Sequence, residues 1–190
     1  RRRLRYVIFS IYCRPLLPDR QEELKIEMLK KEITIKFGEY QGKDGLSEKD
    51  RSLCNEAEKA LATSHSPYSL FRVGTAVRLK SGRIVYGSNQ ENLAYPSGLC
   101  AERVALFAAG ANYPDDEIES MAVTAHTDNF TISEPVGCCG ACLQVMAEYE
   151  NKQGKPFEIL LHCINGPVWK TLGVKSFLPF MFLETRLAKS

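Results

Sequence analysis

The chain has 190 residues, 44% hydrophobic and 25% charged, enough for one domain with a packed core and too few for two full domains. Its net charge of +2 sits at the start: residues 1–27 carry seven basic and four acidic side chains, leaving 18 basic and 19 acidic over the rest. A near-neutral body lacks the basic stripe that a phosphate backbone demands, which excludes nucleic acid as a partner. The seven cysteines are odd in number and clustered. That argues for metal or redox chemistry in a reducing, cytoplasmic setting and against a disulfide framework.

Residues 1–27 run from a basic cluster, Arg1-Arg2-Arg3-Leu4-Arg5, into a short apolar stretch interrupted by Cys13-Arg14-Pro15. They read as a leader foreign to the fold, too short in its apolar part to span a membrane. The folded domain is expected over 28–190, Met28 being its natural opening. Residues 33–37 alternate apolar and polar and suggest an edge strand. Ser47 is a candidate N-cap, with Glu48 and Asp50 where a helix dipole favours them. The stripe Leu53, Ala57, Ala60, Leu61 then predicts a helix over 47–63, broken by the turn residues from Ser64 to Ser69.

Alternation over 73–79 and 84–86 around Ser81-Gly82 predicts a hairpin. A polar loop follows over 89–99, then a helix from about Cys100 to Gly110. A strand is expected over 118–125, a helix over 140–149, a strand over 157–164 and a short one over 169–172. The apolar stretch 177–183 reads as core or interface packing. Strands alternating with helices imply an α/β fold, a three-layer α/β/α sandwich around a mixed sheet of about five strands.

Two clusters carry chemistry. Cys139 and Cys142, two residues apart, can both reach one ion from the first turn of a helix. Cys100 can add a third thiolate, leaving one tetrahedral position open, as catalytic zinc requires. Glu102 points away from Cys100 in regular helix, so both face one ion only if the cysteine sits at the helix mouth. Helix N-termini and Arg103 are the candidates for offsetting the thiolate charge. A redox pair, or a structural four-cysteine site using Cys138 or Cys163, fits the same spacing. His126 and His162 read as core or edge residues, Cys54 and Cys163 as buried hydrophobes.

The motifs together resemble the cytidine deaminase family, in its small homotetrameric, three-cysteine zinc class. They are Ser66-Pro67-Tyr68-Ser69 with Phe71-Arg72-Val73-Gly74, Gly87 to Asn92, Tyr95-Pro96, Cys100-Ala101-Glu102-Arg103, Cys139-Gly140-Ala141-Cys142 with Gln144, and Leu178-Pro179 with Phe182. The resemblance implies zinc on Cys100, Cys139 and Cys142, and Glu102 as the proton carrier for hydrolytic loss of the C4 amine of a cytosine nucleoside, in pyrimidine salvage. It implies that Asn89 and Glu91 bind the ribose and Phe71 packs on the base. Arg103 and Gln144 would support the ligands. Tyr95 and Phe182 would complete a neighbouring subunit's pocket in a homotetramer with shared active sites.

The sequence departs from the family pattern at Leu93 (usually Ala), Cys138 (usually Pro) and Leu143 (usually Arg). Leu93 beside the ribose raises a second substrate, another small aminopyrimidine such as a cytosine-containing antibiotic. A non-catalytic zinc-stabilised module is the alternative from a different class.

Overall fold

The structure, a computed structural model, describes residues 30–184 and Leu187. The chain divides into two compact units, 1–32 and 33–190; of the first, only residues 30–32 are described, without regular structure. The expected leader at 1–27 lies outside the described residues. Among the described residues, no helix is long and apolar enough to cross a membrane.

The second unit is built on a six-stranded sheet: β1 (Gly38–Tyr40), β2 (Arg72–Leu79), β3 (Ile84–Ser88), β4 (Ile118–His126), β5 (Glu158–Cys163) and β6 (Val168–Leu172). Their spatial order is β1-β6-β5-β4-β2-β3. β4 and β5 are parallel because a helix connects them, whereas the short turns joining β2 to β3 and β5 to β6 force antiparallel pairs. α1 (Glu48–Ala60) precedes β2, α2 (Ala101–Asn112) lies between β3 and β4, and α3 (Gly140–Gln153) between β4 and β5.

Strand alternation sorts the core into two layers. Ala76, Ala122 and Leu160 pack with Leu53, Cys54 and Ala57 of α1. Their sequence neighbours Val77, Met121, Val123, Ile159 and Leu161 face Leu106, Ala109, Leu143 and Met146 of α2 and α3. The three-layer α/β/α sandwich is thus read directly from which residues share a cluster. Ser47 caps α1 as expected, its hydroxyl accepting from the Asp50 N–H at 3.2 Å. Gly154, at φ +70°, ends α3 in the left-handed conformation, which glycine adopts without the strain a Cβ would bring.

Two expectations shift. The edge strand falls at Gly38–Tyr40, paired with β6, while 33–37 stay outside any strand with Ile33, Ile35 and Phe37 exposed. Alternation signals an extended backbone, but pairing needs a free edge and a surface to bury against. This strand makes the sheet six-stranded rather than about five. α3 runs to Gln153 instead of Tyr149, since its polar last turn forms helix readily until the glycine cap.

β3 and α2 touch backbone to backbone. A Cβ on Gly87 would lie 2.2 Å from the Ala101 carbonyl oxygen and 2.5 Å from the Ala105 nitrogen. Glycine at 87 therefore sets how deeply the start of α2 sits on the sheet. Gly87→Ala is expected to cost about 3 kcal/mol by overpacking against unyielding backbone, read from denaturant unfolding, and to lower metal content by displacing Cys100.

His162, on β5, is buried, and neither ring nitrogen has a hydrogen-bond partner. Nδ1 lies 3.6 Å from Glu58 Oε1, a carboxylate already engaged by Lys43 at 2.5 Å. Burial lowers the His162 pKa from 6.5 to about 4. The unfolded chain therefore binds a proton that the folded chain refuses as pH falls below 6.5. Stability is lost progressively between pH 6.5 and about 4, by up to about 3 kcal/mol. In His162→Leu this component should vanish, flattening the decline in unfolding free energy between pH 7 and 5 relative to the parent chain.

Candidate active site

The N-termini of α2 and α3 converge, and each is capped by a cysteine. Cys100 caps α2 at φ −72°, ψ 153°; Cys139 caps α3 at φ −69°, ψ 157°. In a helix, the side chain at the third position reaches back to the cap. In α3 that pair is Cys139 and Cys142, with sulfurs 3.3 Å apart. In α2 it is Cys100 and Arg103, with the guanidinium 3.7 Å from Cys100 Sγ. The same local geometry thus gives a thiol pair on one helix and a thiol held by a cation on the other.

Between helices, Cys100 and Cys139 sulfurs are 3.8 Å apart, and all three thiols lie within 4.8 Å of one another. Thiolates bound to one tetrahedral ion by bonds of about 2.3 Å stand about 3.8 Å apart, so the cluster has the size zinc needs. Among the described residues, it is the one group of His, Cys, Asp or Glu side chains compact enough for a metal. Cys138 and Cys163 are outside it; the Cys163 thiol donates instead to the Ile132 carbonyl.

Hydrogen bonds from Cys142, then Arg103 and Cys139, hold the Cys100 thiol down at about 5. Cys142, facing that thiolate and buried, is pushed up. Arg103 is held charged by Cys100 in turn. Glu102, second in α2, turns inward and is only 4% exposed. Its Oε2 has no hydrogen-bond partner. Burial first, then the Cys100 charge, raises its pKa. An unpaired buried carboxylate oxygen is costly, and here the carboxylate lies beside the thiol cluster.

Cys100, Cys139, Glu102 and Arg103 line one cavity of about 650 Å³, while Cys142 is fully buried and outside its lining. Val73 of β2 and Val123 and Ala125 of β4 contribute apolar surface; Phe71, Asn89, Glu91 and Tyr95 line it too. Asn89 uses its amide to grip the chain opposite. Its Oδ1 accepts from the Ser64 hydroxyl at 2.6 Å and the Val73 N–H at 2.8 Å, and its Nδ2 donates to the Phe71 carbonyl at 2.8 Å. Glu91 accepts from the N–H groups of Tyr68 and Ser69 at 2.9 and 3.2 Å, and from the Ser69 hydroxyl. The Ser69 hydroxyl is the main reason its pKa is lowered. Ser64, read from sequence only as part of a helix break, and Ser69, which closes the Ser66–Ser69 motif, turn out to be the partners of these two residues.

Gln144 holds the C-terminal segment: its amide donates to the Phe182 carbonyl at 2.8 Å and accepts from the Phe182 N–H at 2.9 Å. The Phe182 ring is 69% exposed and does not line the cavity of its own chain, whereas Tyr95 lines it while 80% exposed. Cys138 packs on the core with its thiol toward Glu102, and burial pushes its pKa up. Leu143 is buried in the core, where it packs rather than touching the cavity. Leu93 is exposed and outside the cavity lining. Phe130, which no sequence signal marked, stacks on Phe71.

Residues 47–154 match the family described as the cytidine and deoxycytidylate deaminase zinc-binding region. A cytidine deaminase of Sporosarcina psychrophila is 36% identical over 136 residues, 72% of this chain and 93% of the relative. The chain belongs to the cytidine deaminase family. A cytidine deaminase of Halalkalibacterium halodurans is 44% identical over 96 residues, covering 50% of this chain and 68% of that one. The crystal structure of cytidine deaminase from Burkholderia pseudomallei superposes with a TM-score of 0.61 at 32% identity, over 72% of this chain and 100% of the other. Within this deaminase fold, the contact between Arg103 and Cys100 has a measurable consequence. Arg103→Gln removes the cation that offsets thiolate charge. It is expected to lower kcat roughly three- to ten-fold with metal content per chain unchanged, measured by steady-state kinetics beside elemental analysis.

Proposed function

We propose that this deaminase acts on free cytidine and deoxycytidine, releasing ammonia and leaving the uracil nucleoside, in pyrimidine salvage. One observation carries the reading: the unpaired, buried Oε2 of Glu102 sits at a cavity wall beside three convergent thiols. Cys100, Cys139 and Cys142 would hold zinc. Zinc at such a site supplies a Lewis acid that brings water into the reactive range near neutral pH.

Glu102 takes a proton from the attacking water and gives it to ring N3 as the water oxygen bonds to C4. It then carries the second proton to the amine as the C4–N bond breaks, so that water and cytidine leave as ammonia and uridine. A carboxylate whose burial raises its pKa is suited to passing protons in both directions. The two helix N-termini and Arg103 offset the negative charge of the thiolates.

Phe71 offers the flat pyrimidine an aromatic face. Asn89 keeps a second amide N–H after its bond to the Phe71 carbonyl, and with Glu91 it is the polar pair proposed for the ribose. Arg103 is the one cation among the described residues lining the cavity, and it is turned to Cys100. That supports an uncharged nucleoside over a phosphorylated or polymeric substrate. Leu93 gives the antibiotic reading no support, since it does not line the cavity. The exposed rings of Tyr95 and Phe182 support a homotetramer in which each would reach a neighbour's pocket.

The test is loss of cytidine absorbance with purified zinc-loaded protein. Glu102→Gln should lower kcat by about 10²–10⁴-fold while zinc stays bound. An inert parent chain would overturn the substrate, and full activity in the Gln variant would overturn the proton carrier.

A further inference from the structure

Phe71 is fixed at its backbone on both sides. Its N–H donates to the Ser69 hydroxyl at 3.0 Å, and its carbonyl accepts from Asn89. Neither bond restrains the ring, which must present a face to the cavity. The ring is restrained instead by Phe130, with centroids 6.2 Å apart and planes inclined by 26°. Phe130 is 61% exposed and does not itself line the cavity. It belongs to the long connection between β4 and α3, which ends in the ligand-bearing helix.

That connection is anchored where it leaves the sheet. Arg72 and His126 are register partners across β2 and β4, and both hold Asp128. Arg72 donates to Asp128 Oδ2 at 2.7 Å, and His126 Nε2 lies 3.1 Å from Oδ1. Arg72 adjoins Phe71 in sequence, and Asp128 precedes Phe130 by two residues. A grip on Asp128 therefore delivers Phe130 over the Phe71 ring, while the Asn129 N–H donates to Thr127 Oγ1 at 3.3 Å within the same turn.

We infer that Phe130 is a positioning residue for substrate binding. It holds the Phe71 ring in the orientation that faces the cavity, and so sets affinity for a flat heteroaromatic base without touching it. The inference rests on the function proposed above. A lone phenyl ring with fixed backbone still has side-chain torsions to lose on binding, and a stacked neighbour removes that cost in advance. The stacked pair also favours offset geometry, with energy beyond its buried area.

Steady-state kinetics on cytidine would compare the parent with Phe130→Ala, Phe130→Tyr, Phe71→Ala and the double Ala variant. Phe130→Ala is expected to raise KM about three- to ten-fold, with kcat within about two-fold. Phe130→Tyr, which keeps the ring, should restore the parental KM. Because Phe130 acts through Phe71, the double variant should be no worse than Phe71→Ala alone. A parental KM in Phe130→Ala, or multiplying effects in the double variant, would overturn the inference while leaving the deaminase reading intact. An inert parent chain would instead overturn that reading and this inference together.

Discussion

Two helix N-termini brought to one point are the constraint on which the rest of the structure depends. Each helix offers a capping position and a third position that face each other, and each begins with a cysteine at its cap. Placed apart, these would be an isolated thiol pair and an isolated thiol–guanidinium contact. Placed 3.8 Å apart between caps, they make a metal-sized cluster inside the positive ends of two dipoles. The sheet fixes that distance. Gly87 lets β3 lie directly against α2, and the parallel β4–β5 pair requires α3 to cross over the same face.

An acid stands near the cluster without belonging to it, and the helix start places it there. With Cys100 outside the regular helix as its cap, Glu102 falls on the second helical position and turns inward. In water it would be an ordinary carboxylate; beside a thiolate and away from solvent its proton affinity rises. Cys138, at a place where proline is usual in the resemblance, puts a thiol rather than a rigid ring next to that carboxylate.

Around this centre, polar side chains act first as clamps. Asn89 and Glu91 bind the segment from Ser64 to Val73, and Gln144 binds the backbone of Phe182. Such bonds fix loops that have few apolar contacts of their own. They also explain how an irregular stretch presents Phe71 to the cavity with a defined backbone. The aromatic contact from Phe130 completes what hydrogen bonds leave free.

Much of this was legible in the residues. Ser47 announced α1, Ser81-Gly82 the hairpin, and the alternation of 73–79 and the apolar run of 118–125 two central strands, because caps, turns and short apolar patterns are local physics. The spacing of Cys139 and Cys142 named a thiol pair, since cap and third position meet in any helix. What stayed hidden depends on separation in sequence. Alternation at 33–37 could not say which edge was open, so the strand formed at Gly38–Tyr40. Gln144 could not declare Phe182 as its partner, nor Ser64 and Ser69 theirs. Phe130 looked like any loop residue until Asp128 was held by Arg72 and His126. The sequence by itself determined the elements and the Cys139–Cys142 pair, because neighbours within a turn decide those. Only the tertiary structure decided which donors converge, which carboxylate is stripped of water and which ring backs which, because those follow from where distant segments cross.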